Sequence, residues 1–251
     1  MPGLVNAHTH AAMTLLRGLA DDLPLMSWLN DHIWPAERDH VGPGFVHDGT
    51  ALAIAEMLRG GTTCFNDMYF FPDVAARAAS QAGIRAVVGM IFIDVPTAWA
   101  QDADEYIDKG LAVHDDYRED PLITTTFAPH APYTVGEDNL ARLRTLADEL
   151  GVPVHIHLHE TADEIQQSLA ATGERPLRRL DRLGLVTPGL VAVHMTQLEA
   201  DEIGRLAGDR RQRRPLPRVQ PQAGQRPGTG GGDGDGGGKP GPRHRRAGEQ
   251  Q

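Results

Sequence analysis

The chain has 251 residues, 40% of them hydrophobic, one cysteine (Cys64) and a formal net charge of −10. A lone thiol excludes a disulfide framework and points to a reducing, cytoplasmic setting. No apolar run reaches the roughly 18 residues of a membrane span and no basic-then-apolar leader is visible, so neither a membrane protein nor a signal peptide is expected.

The first predicted strand, Leu4–His8, follows Pro2-Gly3 and ends in His8-Thr9-His10. Alternate residues of a strand face one side, so these two imidazoles stand together. A helix is predicted over Pro43–Arg59, with Phe45, Leu52, Ile54, Ala55 and Leu58 at near-helical spacing and Gly60-Gly61 as its stop. Strand Thr62–Asp67, helix Asp73–Ala82 and strand Ala86–Ile93 come next. Strand Ile123–Ala128 runs into Pro129-His130-Ala-Pro-Tyr133. Helix Glu137–Leu150 carries a stripe of Leu140, Leu143, Leu146 and Leu150 and stops at Gly151. In the strand predicted over Val152–His157 and its continuation, His155, His157 and His159 are expected on one face, with Glu160 following. Helices Thr161–Thr172 and Arg175–Leu183 precede the last strand, Leu190–His194. This alternation predicts a parallel sheet with covered faces and six βα units, where a closed barrel of the type takes eight.

Polar residues collect at the strand ends: His8 and His10, His130, His157 with Glu160, and His194. A single strand-end histidine is more often a hydrogen-bonded structural residue than a ligand. The set, with a carboxylate three residues beyond one imidazole, points to zinc or iron(II) and an activated water. His32, His40, His47 and His114 fall in helical or loop stretches and read as solvated; Cys64 reads as a small core residue.

Five motifs carry a family resemblance: Pro2-Gly-Leu-Val-Asn-Ala-His-Thr-His10, Leu16-Arg-Gly-Leu-Ala-Asp-Asp22, Pro129-His-Ala-Pro-Tyr-Thr134, His157-Leu-His-Glu-Thr161 and Val193-His-Met-Thr-Gln197. Residues 1 to about 208 resemble the amidohydrolase superfamily, in its triazine-hydrolase-like branch with the 5-methylthioadenosine/S-adenosylhomocysteine deaminases. The resemblance implies a TIM-type (β/α)8 barrel with one divalent metal, usually zinc. It implies that His8, His10 and His157 are ligands, completed by an Asp at the end of an eighth strand. It makes Glu160 the proton shuttle, which also touches substrate, and His194 the support for the attacking water. Glu37, in Trp34-Pro-Ala-Glu37, and His130 match substrate-contacting positions. The expected activity is hydrolytic deamination of an adenine-type nucleoside, with a small-molecule substrate, no nucleic acid or membrane partner, and homo-oligomeric relatives. Many adenosine-type members carry an Arg near the position of Gly89-Met90, which is absent here. Hydrolysis of another amino- or chloro-substituted N-heterocycle (triazine, pyrimidine or guanine type) is therefore the alternative, and a non-catalytic binding protein the second.

The charge divides sharply near Asp209. Residues 1–209 hold 14 Lys/Arg against 31 Asp/Glu, and residues 210–251 hold 10 against 3, with Gly and Pro at 17 of 42 positions. Such a segment cannot bury enough apolar surface to offset its ordering entropy, so a partial barrel over 1–209 and a disordered tail over 210–251 are expected. The tail also has a frameshift reading. Synonymous codons for 211–226, read one base out of frame, spell GVSVVHCPESNLKLAS, which resembles the family's seventh-strand motif. Continued through Gly228–Gln251, the shift yields a TDG whose Asp codon straddles Arg245 and Arg246. On this reading strands seven and eight, a small β-sandwich and the fourth ligand are missing from the chain, which is then inactive as written. An Arg/Gly-rich segment can also bind RNA, but the frameshift explains composition, boundary and lost strands together.

Overall fold

The computed structural model of the chain describes residues 1–211. Six strands, β1 (Leu4–Thr9), β2 (Thr62–Asp67), β3 (Arg85–Phe92), β4 (Ile123–Pro129), β5 (Val154–Leu158) and β6 (Leu190–His194), form one sheet in chain order. Every neighbouring pair is parallel. The helices are α1 (Leu25–Trp28), α2 (Trp34–His40), α3 (Pro43–Arg59), α4 (Pro72–Ala82), α5 (Ala103–Tyr117), α6 (Glu137–Leu150), α7 (Ala162–Thr172), α8 (Pro176–Arg182) and α9 (Ala200–Arg211). Among the described residues no helix is long and apolar enough to cross a membrane.

The expected βα alternation and all six strands are present, with ends shifted by one or two residues. Thr161 and Arg175 stand just outside α7 and α8 as caps; the Thr161 side chain accepts the Glu164 N–H. Helix α5 carries no strong apolar stripe. Only Tyr106, Ile107, Gly110 and Val113 are buried, and a glycine inside a helix lowers its propensity. Gly110 is there because a Cβ would come within 3.2 Å of the Met90 Cβ on β3. The local signal for α5 is Asp102, whose side chain accepts the Glu105 N–H at 2.9 Å.

The core lies between the sheet and its helices, with Phe92, Tyr106, Phe127, Leu140, Leu143 and Ile156 among its largest buried side chains. Gly89 on β3 is forced by close approach: a Cβ would sit 2.8 Å from both the Ala128 Cβ and the Asp67 carbonyl oxygen. No arginine fits there, and Met90 beside it is a buried packing residue. The sheet is strongly curled. Strands β1 and β5 are four places apart, about 19 Å in a flat sheet, yet His8 Nε2 lies 3.2 Å from His157 Nε2. This is the curvature of a TIM-type barrel, of which the described residues hold six strands. Helix α9 runs to Arg211, two residues into the segment expected to be disordered. Residues 212–251, with the seventh-strand and TDG readings, lie outside the described residues.

Candidate metal centre

The C-terminal ends of the strands bring the expected residues together. His8 is on β1 and His10 just beyond it, His157 is on β5, His194 ends β6, and His130 directly follows β4. One ring nitrogen from each of His8, His10 and His157 falls in a group within 4.8 Å. His157 is also 4.9 Å, ring to ring, from His130 and stacks on His194 at 5.4 Å.

The hydrogen bonds behind these rings decide which nitrogen faces the centre. His10 Nδ1 is 2.5 Å from the Met68 carbonyl oxygen, and His157 Nδ1 is 2.9 Å from that of His130. A carbonyl oxygen only accepts, so each Nδ1 carries the proton and each Nε2 presents a lone pair. Burial holds His8 and His130 down to about 3 and pushes His10 and His157 down too, with neighbouring imidazoles reinforcing the effect. The rings are neutral at pH 7. His8 Nε2 stands 3.2 Å from His157 Nε2. Nitrogens at ~2.0–2.1 Å from a tetrahedral zinc stand about 3.3 Å from one another, so the His8–His157 pair has the spacing of two ligands of an ion of that size.

Glu160 sits beside this cradle, its Oε1 3.4 Å from His194 Nε2. Burial raises its carboxyl, the direction that suits proton transfer near neutral pH. The Glu164 carboxylate accepts the Glu160 N–H at 2.6 Å and the His159 N–H at 3.1 Å. The Thr196 hydroxyl donates to the Glu160 and His159 carbonyls, at 2.7 and 3.0 Å. The dipeptide that carries Glu160 is thus clamped on both edges. Sequence reasoning did not single out Glu164 or Thr196; the available signal is the Thr161-x-x-Glu164 spacing of a helix N-terminus.

His159 departs from expectation. Its backbone is left-handed (φ 55°), which ends β5 and turns the ring away from the face of His155 and His157. It is fully buried, with Nε2 accepting the Leu177 N–H at 3.0 Å. Left-handed backbone also recurs at His194 (φ 72°) and Met195 (φ 55°). Such residues cluster where a fold aims functional side chains. Among the helical and loop histidines, His40 and His47 are exposed as expected. His114 is half-buried instead, bonded through Nδ1 to the Thr125 hydroxyl at 2.6 Å.

A cavity of about 900 Å³ reaches the cluster at His130 and is otherwise lined by Glu37, Trp34, Phe70, Ile93 and Tyr133 among others. Its walls are mainly apolar, with few convergent polar groups, as small-molecule sites are. Glu37 accepts a hydrogen bond from the Tyr69 hydroxyl at 2.7 Å. Burial pushes its carboxyl from 4.5 up to about 7, against the opposing Tyr69 bond. Between those values the folded protein holds a proton that the unfolded chain has released, so stability owed to Glu37 falls as pH rises through the window. Glu37→Gln removes that loss. The melting temperature of the variant relative to the unsubstituted protein is expected to be higher at pH 8 than at pH 5; a difference that does not change with pH contradicts this.

A parallel β/α sheet curled around strand-end imidazoles beside an apolar cavity is the architecture of metal-dependent hydrolases. The chain belongs to the amidohydrolase family, whose model matches residues 1–213. It is 57% identical over 207 residues to the 5-methylthioadenosine/S-adenosylhomocysteine deaminase of Teredinibacter turnerae, an overlap of 82% of this chain and 47% of that protein. It is 56% identical over 206 residues to the protein of the same name from Saccharophagus degradans, covering 82% and 46%. Among solved structures, an adenosine deaminase from Xanthomonas campestris with bound zinc is 63% identical with a TM-score of 0.82, covering 83% of this chain and 48% of that one. The atrazine chlorohydrolase of Arthrobacter aurescens TC1 complexed with zinc shares the fold, with a TM-score of 0.77 at 19% identity over 83% of this chain and 52% of that one. The chain spans about half the length of the relatives it matches.

Proposed function

We propose that this chain is the metal-binding part of a zinc-dependent aminohydrolase that removes the 6-amino group of an adenine-type nucleoside, in the 5-methylthioadenosine/S-adenosylhomocysteine class. The observation that carries this reading is the placement of Glu160 and His194 beside the clustered imidazoles of His8, His10 and His157. The names of the similar deaminases support the substrate class.

His8, His10 and His157 hold the metal. A divalent ion held there supplies Lewis acidity and brings the pKa of a water toward ~7. Glu160 takes a proton from the water that adds to C6 and delivers it to the adjacent ring nitrogen. The remaining hydroxyl proton passes to the amino group, the C6–N bond breaks, and ammonia departs to leave a C6 carbonyl. His194 supports the attacking water and the charge that develops on its oxygen. The apolar walls hold the base, and His130 and Glu37 bond to its nucleoside, with Glu37 suited to a hydroxyl.

We further propose that the reading frame shifts near Asp209–Arg211, so that the chain as given lacks the eighth-strand Asp and does not turn over. The protein translated with the frame restored is expected to release ammonia from 5′-methylthioadenosine in a zinc-dependent reaction, and Glu160→Gln to lower that rate by 10²-fold or more. Coding DNA that cannot spell TDG across codons 244–247 overturns the frameshift. A frame-restored protein that binds zinc but leaves adenine-type nucleosides intact, while hydrolysing a triazine or guanine, overturns the substrate class.

A further inference from the structure

The three ligand imidazoles differ in what stands behind them. Main-chain carbonyls back His10 and His157. His8 has no such carbonyl: its Nδ1 lies 3.0 Å from Nε2 of His155. An imidazole nitrogen donates or accepts according to tautomer, so nothing on β1 itself dictates which nitrogen of His8 carries the proton.

We propose that His155 is the positioning residue of the metal centre, setting the tautomer and orientation of His8. The assignment rests on the reading of His8, His10 and His157 as metal ligands. His155 and His157 share a face of β5. The outer ring reaches the centre, and the inner one reaches the back of His8 from four strands away. His155 is fully buried. For His8 to offer its Nε2 lone pair, its Nδ1 must donate, so His155 must accept through Nε2 and keep its own proton on Nδ1. That Nδ1 has no hydrogen-bond partner among the described residues. A packing residue at this spot would be apolar. A buried imidazole whose one bonded nitrogen meets a ligand's back nitrogen is an orienting group, in the manner of the groups that fix metal-bound histidines elsewhere.

The test is zinc affinity of the full chain, measured by competition with a chromophoric chelator. His155→Phe keeps the ring and removes the acceptor; it is expected to weaken zinc binding by 10–100-fold. His155→Gln places an amide oxygen near the lost Nε2 and is expected to restore affinity to within a few-fold of the unsubstituted chain. Equal affinity in His155→Phe and the unsubstituted chain overturns the assignment and leaves the metal centre standing. No zinc binding by the unsubstituted chain overturns both. Ring-nitrogen NMR of the zinc-loaded, unsubstituted chain adds a check that needs no variant: the proton of His155 is expected on Nδ1, and a proton on Nε2 overturns the proposal.

Discussion

Replacing His157 with alanine is expected to weaken zinc binding by more than about 100-fold, because the loss of a mere supporting partner already costs 10–100-fold. His157 is the hub of the cluster. Its ring lies 4.9 Å from His8, 5.1 Å from His10 and 4.9 Å from His130, and its Nδ1 proton is committed to the His130 carbonyl. Neither neighbouring histidine of the same segment can take its place, since His155 faces the back of His8 and His159 is turned away. The metal-free fold should survive, because the substitution also relieves the crowding of neutral imidazoles whose charged forms burial already disfavours. Titration calorimetry with zinc checks the affinity, and far-UV circular dichroism of the metal-free forms checks the fold. Unchanged affinity would mean that zinc binds elsewhere.

The second large effect is structural. Arg175 donates from Nε and Nη2 to the two oxygens of Glu202, both at 2.9 Å, and to the Gln197 carbonyl at 2.5 Å. Glu202 is almost wholly buried; burial pushes its carboxyl up, but the Arg175 guanidinium brings it to a net value below the ordinary one. The pair ties α9 to the start of α8, and Glu202 also faces His159 Nδ1 at 3.7 Å. Glu202→Leu removes the bidentate partner of a largely buried guanidinium, leaving Glu199 on its Nη1 at 3.0 Å, and is expected to cost about 3 kcal/mol, whereas removal of both charges with Arg175→Met recovers most of the loss. Urea unfolding of the single and double variants against the parent decides it. A cost below ~1 kcal/mol for Glu202→Leu would show that water reaches the pair.

Much of the site is legible in the sequence because a parallel β/α sheet sends every strand end to one rim. Once Leu4–His8, Val152–His157 and Leu190–His194 are read as strands, their terminal histidines must meet. What period-two reasoning cannot show is where a strand stops. His155, His157 and His159 share a parity, yet left-handed backbone at His159 ends the pattern and sends that ring into the packing beneath α8. Residues that act through hydrogen bonds to the main chain are silent for another reason. Glu164 and Thr196 clamp the Glu160 segment by contacts of which only the Thr161-x-x-Glu164 cap spacing leaves a trace in the sequence, and His155 is distinguished from core packing only by its 3.0 Å approach to His8. Helix α5 escapes notice because its partner surface on β3 demands Gly110 where a helix signal wants an apolar residue.

The central claim is that His8, His10 and His157 form one metal centre. X-ray absorption at the zinc edge of the zinc-loaded chain reads the first coordination shell directly. The account predicts about three imidazole nitrogens at ~2.0–2.1 Å, with the outer-ring scattering of histidine, and the loss of one of them in His157→Ala. A shell of oxygens alone, or a spectrum unchanged by that substitution, would contradict it.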